Sequence, residues 1–397
     1  MYYRIFDCWR FAAVMLIMIY HYSYFAPRED VETLLAFSQR FLSLLDMFFM
    51  LSGFLIMTRC ADQIDGARGY LRYLRRRFAR LYPLHFFTLL AFVAIGAAGA
   101  GGLITLHHPT RWNFGDLPFH ILGLHAWGTT ETLGFNYPSW SVSAEFFCYI
   151  IFPVIVFAAR RAGVTGMAVL LLAWLVLLET LSRAGVFPGG HWSTADTFGA
   201  YRAFADFAAG AIAAKLVARR FLPIRSHVPG LLALLCAVIS MAMAAPVYPT
   251  LVLLFLAVLL IGLSETARPA STARLAPLMP LTRVSFGVYI LHSLPEIVFL
   301  SFLWQRIVTP TQFVSFYLFW LIPMGLTLVM ALLSFRLVEG PLGRRIAGPR
   351  REGGSAEGER AEPTSVYASP LDRGLPHPAT GRPASSNATG GEPGGTI

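Results

Sequence analysis

Apolar residues along this chain are gathered into long runs, and short polar segments separate one run from the next. About ten of the runs reach the roughly 20 residues that a helix needs to cross the hydrocarbon core of a bilayer. The predicted spans lie at about 9–26, 40–58, 81–101, 139–158, 163–181, 203–219, 228–246, 249–265, 284–304 and 312–336. The pattern therefore predicts an all-α polytopic integral membrane protein with about ten transmembrane helices.

Basic residues are concentrated in the loops on one side of the membrane. If the first span enters from the cytoplasm, Lys and Arg in the inner loops outnumber those in the outer loops by about three to one. This bias follows the positive-inside rule and predicts that both termini are cytoplasmic. We expect a multi-pass protein of a bacterial-type plasma (inner) membrane, in contact with membrane lipids.

Two segments between the predicted spans carry patterns of their own. Residues 102–138 include the short apolar run 117–127, which is too short to span a bilayer and is typical of an interfacial or re-entrant helix. Residues 60–80 combine arginines with apolar positions at helical spacing. This second pattern predicts an amphipathic helix on the inner membrane surface.

The composition changes after Glu339. Residues 341–397 contain 11 Gly and 8 Pro but one aromatic residue, so they cannot bury a core of their own. The chain is therefore predicted to have a transmembrane domain over residues 1–340 and a disordered, Pro/Gly-rich cytoplasmic tail over residues 341–397.

Composition also excludes several classes of protein. Charged residues make up 14% of the chain and apolar residues 56%, whereas soluble domains carry about 25% charged residues. The four cysteines have no zinc-site or disulfide spacing, so no metal is expected. The net charge of +10 resides largely in short loops, which indicates membrane topology and no nucleic-acid partner.

Ionisable residues inside predicted spans are costly unless they are paired or hydrated, and they often mark function. The candidates are His21, Asp46, Glu145, Glu179, Asp206, His292 and Glu296. From the helical rise, His21 lies ~7–8 Å, and Asp46 and Glu145 ~9 Å, below the outer surface. A histidine level with two carboxylates suits general base chemistry. The alternative is that each residue is part of a structural pair between helices.

A second candidate site is the inner basic cluster of residues 72–80. Membrane topology and anionic headgroups account for most of its arginines. A functional interpretation requires a polyanionic ligand, such as the phosphates of coenzyme A, held by guanidinium groups. Arg77 and Arg80 are three residues apart on one helical face and are the most plausible pair for that role.

Six blocks of sequence resemble the membrane acyltransferase-3 family, the polytopic O-acyltransferases of polysaccharides and secondary metabolites. The blocks are residues 6–10 (FDCWR) followed by His21, residues 46–54 (DMFFMLSGF), residues 77–83 (RFARLYP), residues 140–145 (WSVSAE), residues 285–292 (SFGVYILH) and residues 338–341 (VEGP). They occur in the family order over roughly residues 4–345. The resemblance implies transfer of an acyl group from cytoplasmic acyl-CoA to a hydroxyl, commonly of a sugar.

The resemblance also implies roles for individual residues. Arg77 and Arg80 would hold the coenzyme A phosphates, with Arg10 at the donor entrance. His21 would be the general base, or less plausibly the acyl carrier, with Asp46 or Glu145 as its catalytic partner. Trp140, Arg202 and His292 would contact the substrate. Acyl-CoA, by family default acetyl-CoA, would be the co-substrate, and the acceptor a carbohydrate or lipid-linked glycan.

Two other functions remain open from the residues alone. A transporter or exporter could use the buried histidines and carboxylates as a proton relay. A membrane scaffold could recruit partners through the tail. The oligomeric state also stays open.

Overall fold

The computed structural model describes residues 3–104, 106, 109–194, 197–311 and 313–348, and this part of the chain is helical without β-strands. The α-helices are α1 Arg4–Ser23, α2 Arg28–Gln39, α3 Leu44–Cys60, α4 Ala67–Ala100, α5 Leu117–Leu122, α6 Trp140–Arg183, α7 Gly199–Arg219, α8 Val228–Ala242, α9 Val247–Ala267, α10 Met279–Thr282, α11 Ser285–Leu291, α12 Ser293–Pro295, α13 Thr309–Thr311, α14 Phe316–Phe319, α15 Leu321–Ser334 and α16 Gly340–Ala347. Two π-helical segments, Glu296–Val308 and Phe335–Glu339, continue α12 and α15.

Seven helical segments of the described chain are long and apolar enough to cross a membrane, which confirms a multi-pass helical architecture. They are Arg4–Ser23, Arg28–Gln63, Ala67–Ala100, Tyr137–Arg183, Val247–Ala267, Ala273–Thr311 and Phe316–Ala347. The apolar helix α8 is shorter, with 15 residues. Helix α7 has 21 residues but contains charged side chains. The total of ten spans therefore remains a prediction.

Helix α6 consists of two arms that meet at a break. Ala162 and Gly163 depart from helical backbone angles, and Gly163 has a φ of 60°. Glycine adopts this left-handed region without a Cβ penalty. The break lies between the two spans predicted at 139–158 and 163–181, so one continuous run of residues contains both.

Helix α4 is longer than the sequence suggested. We expected an amphipathic helix over 60–80 and a separate span over 81–101, but residues Ala67–Ala100 form one helix of 34 residues. The chain turns before it, at Gly66, whose φ is 124°. Pro83 lies inside the helix without ending it, as packing against other helices permits in membrane proteins. The basic surface and the apolar span thus belong to one continuous helix.

Helix α7 packs so closely on α3 that their backbones nearly touch. A Cβ atom on Gly53 would lie 1.9 Å from the carbonyl oxygen of Phe207, and one on Gly210 would lie 1.8 Å from that of Met50. Small residues commonly allow such close helix contacts in membranes. Arg202 and Asp206 in the first half of α7 are consequently covered by protein.

The segment that connects α4 to α6 folds into the protein. The expected helix over 117–127 ends at Leu122, where Gly123 adopts a φ of 68°. His120 and His125 of this segment are buried, and their rings stack with centroids 4.1 Å apart. Burial lowers the pKa of His120 to about 4. Because the segment covers the start of α6, Trp140 is already buried at the first residue of that helix.

The end of the described chain is helical. Residues Gly340–Ala347 form α16, and the Arg75 guanidinium donates a hydrogen bond to the Ala347 carbonyl oxygen at 2.7 Å. The first residues of the tail predicted at 341–397 are therefore attached to α4. Residues 349–397, on which the rest of that prediction falls, lie outside the described residues.

Candidate active site

Helix α1 carries a polar residue toward each of its ends, and both ends of the helix are anchored. The backbone N–H groups of Arg4 and Ile5 donate to the carboxylate of Glu265 at 3.1 and 3.4 Å. Near the other end, the Tyr22 hydroxyl donates to the carbonyl oxygen of His292 at 3.0 Å. Eleven residues separate Arg10 from His21, which corresponds to ~16 Å along the helix. Two polar clusters surround these two residues.

The first is the histidine cluster, formed by His21, His292, Tyr137, Glu296 and Arg111. The His21 ring stacks on His292 with centroids 5.2 Å apart and contacts the Tyr137 ring at 4.6 Å. The Tyr137 hydroxyl lies 2.6 Å from Glu296 Oε2 and 3.2 Å from His292 Nε2. A chain of hydrogen bonds thus joins the carboxyl group of Glu296 to the imidazole beside His21.

A bend in the helical path places His292 and Glu296 in this cluster. The path passes from α11 through α12 into the π-helix that begins at Glu296. Asn136 fastens the connecting segment to the bend, because its amide donates to the Ile290 carbonyl at 3.0 Å and accepts from Ser293 at 2.6 Å. Tyr137, the next residue, is thereby held against both side chains. Single π-helical segments are frequent at functional sites.

Arg111 supplies a cation to the same cluster. Its Nε donates to the Phe135 carbonyl at 2.8 Å, and its Cζ lies 5.1, 5.4 and 5.0 Å from the ring centroids of Phe92, Trp112 and Tyr137. Its buried Nη2 has no hydrogen-bond partner among the described residues. Arg111 interacts electrostatically with His21, His292 and Glu296.

The second is the arginine cluster, formed by Arg10, Arg59, Arg77 and Arg80 around Glu145. Glu145 accepts a hydrogen bond from Ser52 at 2.9 Å and interacts electrostatically with Arg10 and Arg80. Tyr149, one helical turn after Glu145, is hydrogen-bonded to the same carboxyl group. Asp7 is a second carboxylate nearby, 3.9 Å from Arg10. Four guanidinium groups near two carboxylates still leave an excess of positive charge.

Arg77 is the member of the arginine cluster with an unused donor. Its Nη2 lies 3.3 Å from the sulfur of Cys60, and its Cζ lies 6.0 Å from the ring centroid of Tyr73. Its buried Nε has no hydrogen-bond partner among the described residues. The sequence prediction that Arg10, Arg77 and Arg80 act together is consistent with their shared surroundings.

The structure does not place Glu145 level with Asp46, contrary to the expectation from the sequence. Glu145 binds Ser52, which lies six residues beyond Asp46 on α3, ~9 Å further along that helix. The prediction measured depth from the start of α6, but the connecting segment packs on that start, where the Ala126 N–H donates to Ser143 Oγ at 3.0 Å. Glu145 therefore belongs to the arginine cluster.

Asp46 is paired with the side chain of Arg202 on α7. Arg202 Nε and Nη2 donate to the two carboxylate oxygens at 2.6 and 2.8 Å, and both side chains are buried. Asp206, one turn after Arg202, is hydrogen-bonded to Asp46 as well. This bidentate geometry is strong and specific. Two residues predicted to be a catalytic carboxylate and a substrate contact thus bind each other.

Of the other two predicted substrate contacts, His292 belongs to the histidine cluster and Trp140 to the packed core. His292 lies beside His21, as described above. Trp140 packs against Phe49 with ring centroids 5.8 Å apart, and a Cβ on Gly199 would lie 2.4 Å from its indole. Trp140 therefore fills space between α3, α6 and α7.

Sequence reasoning missed Arg111 and Tyr137. Arg111 lies in a loop between two predicted spans, and nothing in the sequence around it indicates burial. Tyr137 stands three residues before the WSVSAE block, and that nearness was the one available signal.

Comparisons with known proteins agree with the sequence resemblance. A family model described as an acyltransferase domain matches residues 3–337. The chain belongs to the acyltransferase-3 family. Acyltransferase MdmB from Streptomyces mycarofaciens is 34% identical over 150 residues, which cover 36% of this chain and 35% of that relative. The chain thus aligns with about a third of the relative's length, and no solved structure was found to match the chain.

No group of three or more His, Cys, Asp or Glu side chains is arranged to hold a metal ion among the described residues. The ring of His125 stacks on those of His85 and His120, with interplanar angles of 11° and 19° respectively.

Proposed function

We propose that this protein is a membrane O-acyltransferase that moves an acyl group from acyl-CoA to a hydroxyl of a carbohydrate or lipid-linked glycan. One observation carries the proposal: within a chain of the acyltransferase-3 family, α1 presents Arg10 to a cluster of arginines and His21 to a cluster of proton-transfer groups. Acetyl-CoA is the expected donor.

The arginine cluster suits the donor. Arginine binds phosphate oxygens through pairs of parallel N–H groups, and coenzyme A carries several phosphate charges. Arg77 keeps a buried N–H without a partner, so a phosphate oxygen would satisfy it. Glu145 interacts electrostatically with both Arg10 and Arg80 and reduces their mutual repulsion, which we propose as its role in place of catalysis.

The histidine cluster suits the chemical step. His21 takes the proton of the acceptor hydroxyl while the hydroxyl oxygen attacks the thioester carbonyl carbon. The new carbon–oxygen bond forms, the carbon–sulfur bond breaks, and His21 returns the proton to the departing thiolate. His292 and Tyr137 hold the imidazole of His21 in place through ring contacts.

Asp46 and Arg202 have a structural role in this proposal. Their side chains satisfy each other across α3 and α7, and Trp140 fills the adjoining space. The substrate contacts predicted for Arg202 and Trp140 are therefore replaced by helix packing.

The proposed topology has ten spans with both termini in the cytoplasm of a bacterial-type inner membrane. The seven apolar segments reach ten when the two arms of α6 are counted separately and α7 and α8 are added. The positive-inside rule then assigns the arginine cluster to the cytoplasmic side, where acyl-CoA is made.

The experiment compares the surface glycans and extractable metabolites of cells with and without the gene by mass spectrometry. The proposal expects an acyl mass increment on a hydroxyl-bearing molecule that disappears without the gene and is restored by the native protein but not by His21→Ala. A transporter would change the distribution of a molecule without changing its mass, and that result would overturn the proposal.

A further inference from the structure

Arg111 is a cation that the protein covers without giving it an ion-pair partner. No carboxylate among the described residues lies within ion-pair distance of its guanidinium group, although Glu296 interacts with it electrostatically. Burial of an unpaired charge costs free energy, and in membrane proteins such groups often mark function. The steps assigned to His21 do not involve this charge.

The backbone around Arg111 holds its side chain in one orientation. The Phe135 N–H donates to the Arg111 carbonyl at 2.9 Å, and Arg111 Nε donates back to the Phe135 carbonyl at 2.8 Å. Phe135 has a φ of 46°, in the left-handed region that residues with a Cβ rarely adopt, and such strain is concentrated at functional sites. Because the guanidinium group is planar and rigid, fixing Nε also fixes the direction of Nη2.

The unused donor of Arg111 belongs to the surroundings of the proposed base. Nη2 is buried and has no hydrogen-bond partner among the described residues. The centroid of the Tyr137 ring lies 5.0 Å from Arg111 Cζ and 4.6 Å from the centroid of the His21 ring. Arg111 also interacts electrostatically with His21. A fixed hydrogen-bond donor and the proposed base therefore contact the same tyrosine ring.

Attack on a thioester creates a negative charge that needs such a donor. As the hydroxyl oxygen attacks the carbonyl carbon, the carbonyl oxygen becomes an oxyanion and His21 becomes an imidazolium. The positive imidazolium, the negative oxyanion and Arg111 together carry the same net charge as Arg111 alone carried before the attack. Fixed donors that point at the oxyanion are usually the largest single source of stabilisation in acyl transfer.

We infer that Arg111 is a further catalytic residue, whose Nη2–H donates a hydrogen bond to the thioester carbonyl oxygen as that oxygen becomes an oxyanion. The inference rests on the proposed function, in which His21 is the base. When the carbon–sulfur bond breaks, the oxygen regains its double bond to carbon and its hydrogen bond to Arg111 weakens. Arg111 keeps its protons throughout, so His21 still carries the proton from the hydroxyl to the thiolate.

Arginine can perform this task where lysine cannot. One nitrogen of Arg111 binds the Phe135 carbonyl while another remains for the substrate, and this requires the forked guanidinium group. A lysine has a single nitrogen for both partners. Arg111→Lys therefore keeps the positive charge beside His21 but loses the fixed second donor.

The first test measures turnover of labelled acetyl-CoA in native membranes that carry the full-length protein. For Arg111→Gln we expect kcat to fall by about 10²–10³-fold with little change in the KM for acetyl-CoA, because the donor acts mainly in the transition state. Arg111→Lys is expected to lower kcat as well, which keeps the inference testable if Arg111→Gln fails to fold. Arg306→Gln is the matched control, because Arg306 also lies over an aromatic ring, that of Phe302 at 5.9 Å, but is exposed. It should keep the native kcat.

The second test detects the hydrogen bond without turnover. Acetyl-CoA labelled with ¹³C at the carbonyl is bound to the His21→Gln protein in lipid nanodiscs, and infrared difference spectra record the carbonyl stretch. A donor to the oxygen weakens the carbonyl bond, so adding Arg111→Gln to this protein is expected to move the band to higher frequency. Adding Arg306→Gln instead should leave the band in place.

Two results would overturn the inference. One is a native kcat in both Arg111 variants, which would make the residue a structural support of the connecting segment. The other is a fall in kcat with an unmoved carbonyl band, which would mean that Arg111 binds an anionic group of the acceptor instead of the thioester.

Failure of the inference can be told apart from failure of the proposed function. If native membranes show acyl transfer that depends on His21, but either of these two results is found, the inference alone is wrong. If no acyl mass increment depends on the gene, the proposed function is wrong whatever the infrared result.

Discussion

Two buried carboxylates, Asp46 and Glu296, have opposite surroundings. Both lie in predicted spans, and both are buried in the structure. Asp46 receives two hydrogen bonds from Arg202, a cation that does not give up its proton. Glu296 is joined through a phenol to an imidazole, so its partners can exchange protons. Burial of a carboxylate alone therefore does not indicate a reactive site. What matters is whether its hydrogen-bond partners can exchange protons with it.

Replacing the central imidazole should have the largest effect. His21→Ala removes the proposed general base from the histidine cluster, which contains Glu296, and should lower kcat by about 10²–10⁴-fold. The variant should still insert into the membrane, and its thermal unfolding temperature should equal that of the native protein. A kcat within a factor of a few of the native value, measured with labelled acetyl-CoA in native membranes, would remove His21 from catalysis.

Breaking the structural pair should reduce stability. Arg202→Ala leaves the Asp46 carboxylate buried without its cation and should cost about 3–5 kcal/mol of folding free energy. The measurement is thermal unfolding in detergent, with Arg183→Ala as control because Arg183 is exposed. If Arg202→Ala unfolds like the control but loses transfer activity, Arg202 contacts substrate and its structural assignment is wrong.

Acid should loosen the connecting segment that holds Tyr137. Because burial lowers the pKa of His120 from its ordinary value of 6.5 to about 4, the neutral ring contributes stability that is present above pH 6.5 and is lost as the pH falls toward 4. The loss should reach roughly 3 kcal/mol at the lower limit.

Hydrogen exchange of residues 111–139, corrected for intrinsic rates, measures that loss between pH 7 and pH 5. His120→Leu should reduce the acid dependence without abolishing it, since the buried His125, whose pKa burial also lowers, still gains a charge in acid. Equal acid dependence in the variant and the native protein would mean that another group is responsible.

The smallest effect is expected at the donor site. Arg77→Ala removes one charged donor from the arginine cluster and should raise the KM for acyl-CoA by about tenfold with little change in kcat. Arg72→Ala is the control, since Arg72 is exposed on the same helix. A fall in kcat at unchanged KM would place Arg77 in the chemical step instead of donor binding.

The architecture was largely predictable, and the site was predictable only in part. Long apolar runs identify spans without help from tertiary contacts, which explains the agreement for α1, α3 and α9. The amphipathic segment before Pro83 looked separate because its arginines interrupt the apolar pattern, although α4 continues through it.

The sequence could not predict which side chains contact each other. Tyr137 meets Glu296 across 159 residues and His292 across 155, and no local pattern encodes such contacts. The level of Glu145 was misjudged because the sequence gives no sign that the connecting segment packs on the start of α6, where Ala126 and Trp127 donate to Ser143. His21 and the pair Arg77 and Arg80 stay predictions as site residues; the polar pattern and the family spacing both single them out.

The central claim is that a donor bound at the arginine cluster reacts at His21 across the bundle. Sealed inverted vesicles from cells that carry the gene expose the cytoplasmic face, and labelled acetyl-CoA is added outside them. The account predicts that label appears in hydroxyl-linked esters of molecules protected inside the vesicles, and that His21→Gln abolishes it while native acetyl-CoA binding persists. Equal labelling by His21→Gln vesicles would contradict the claim.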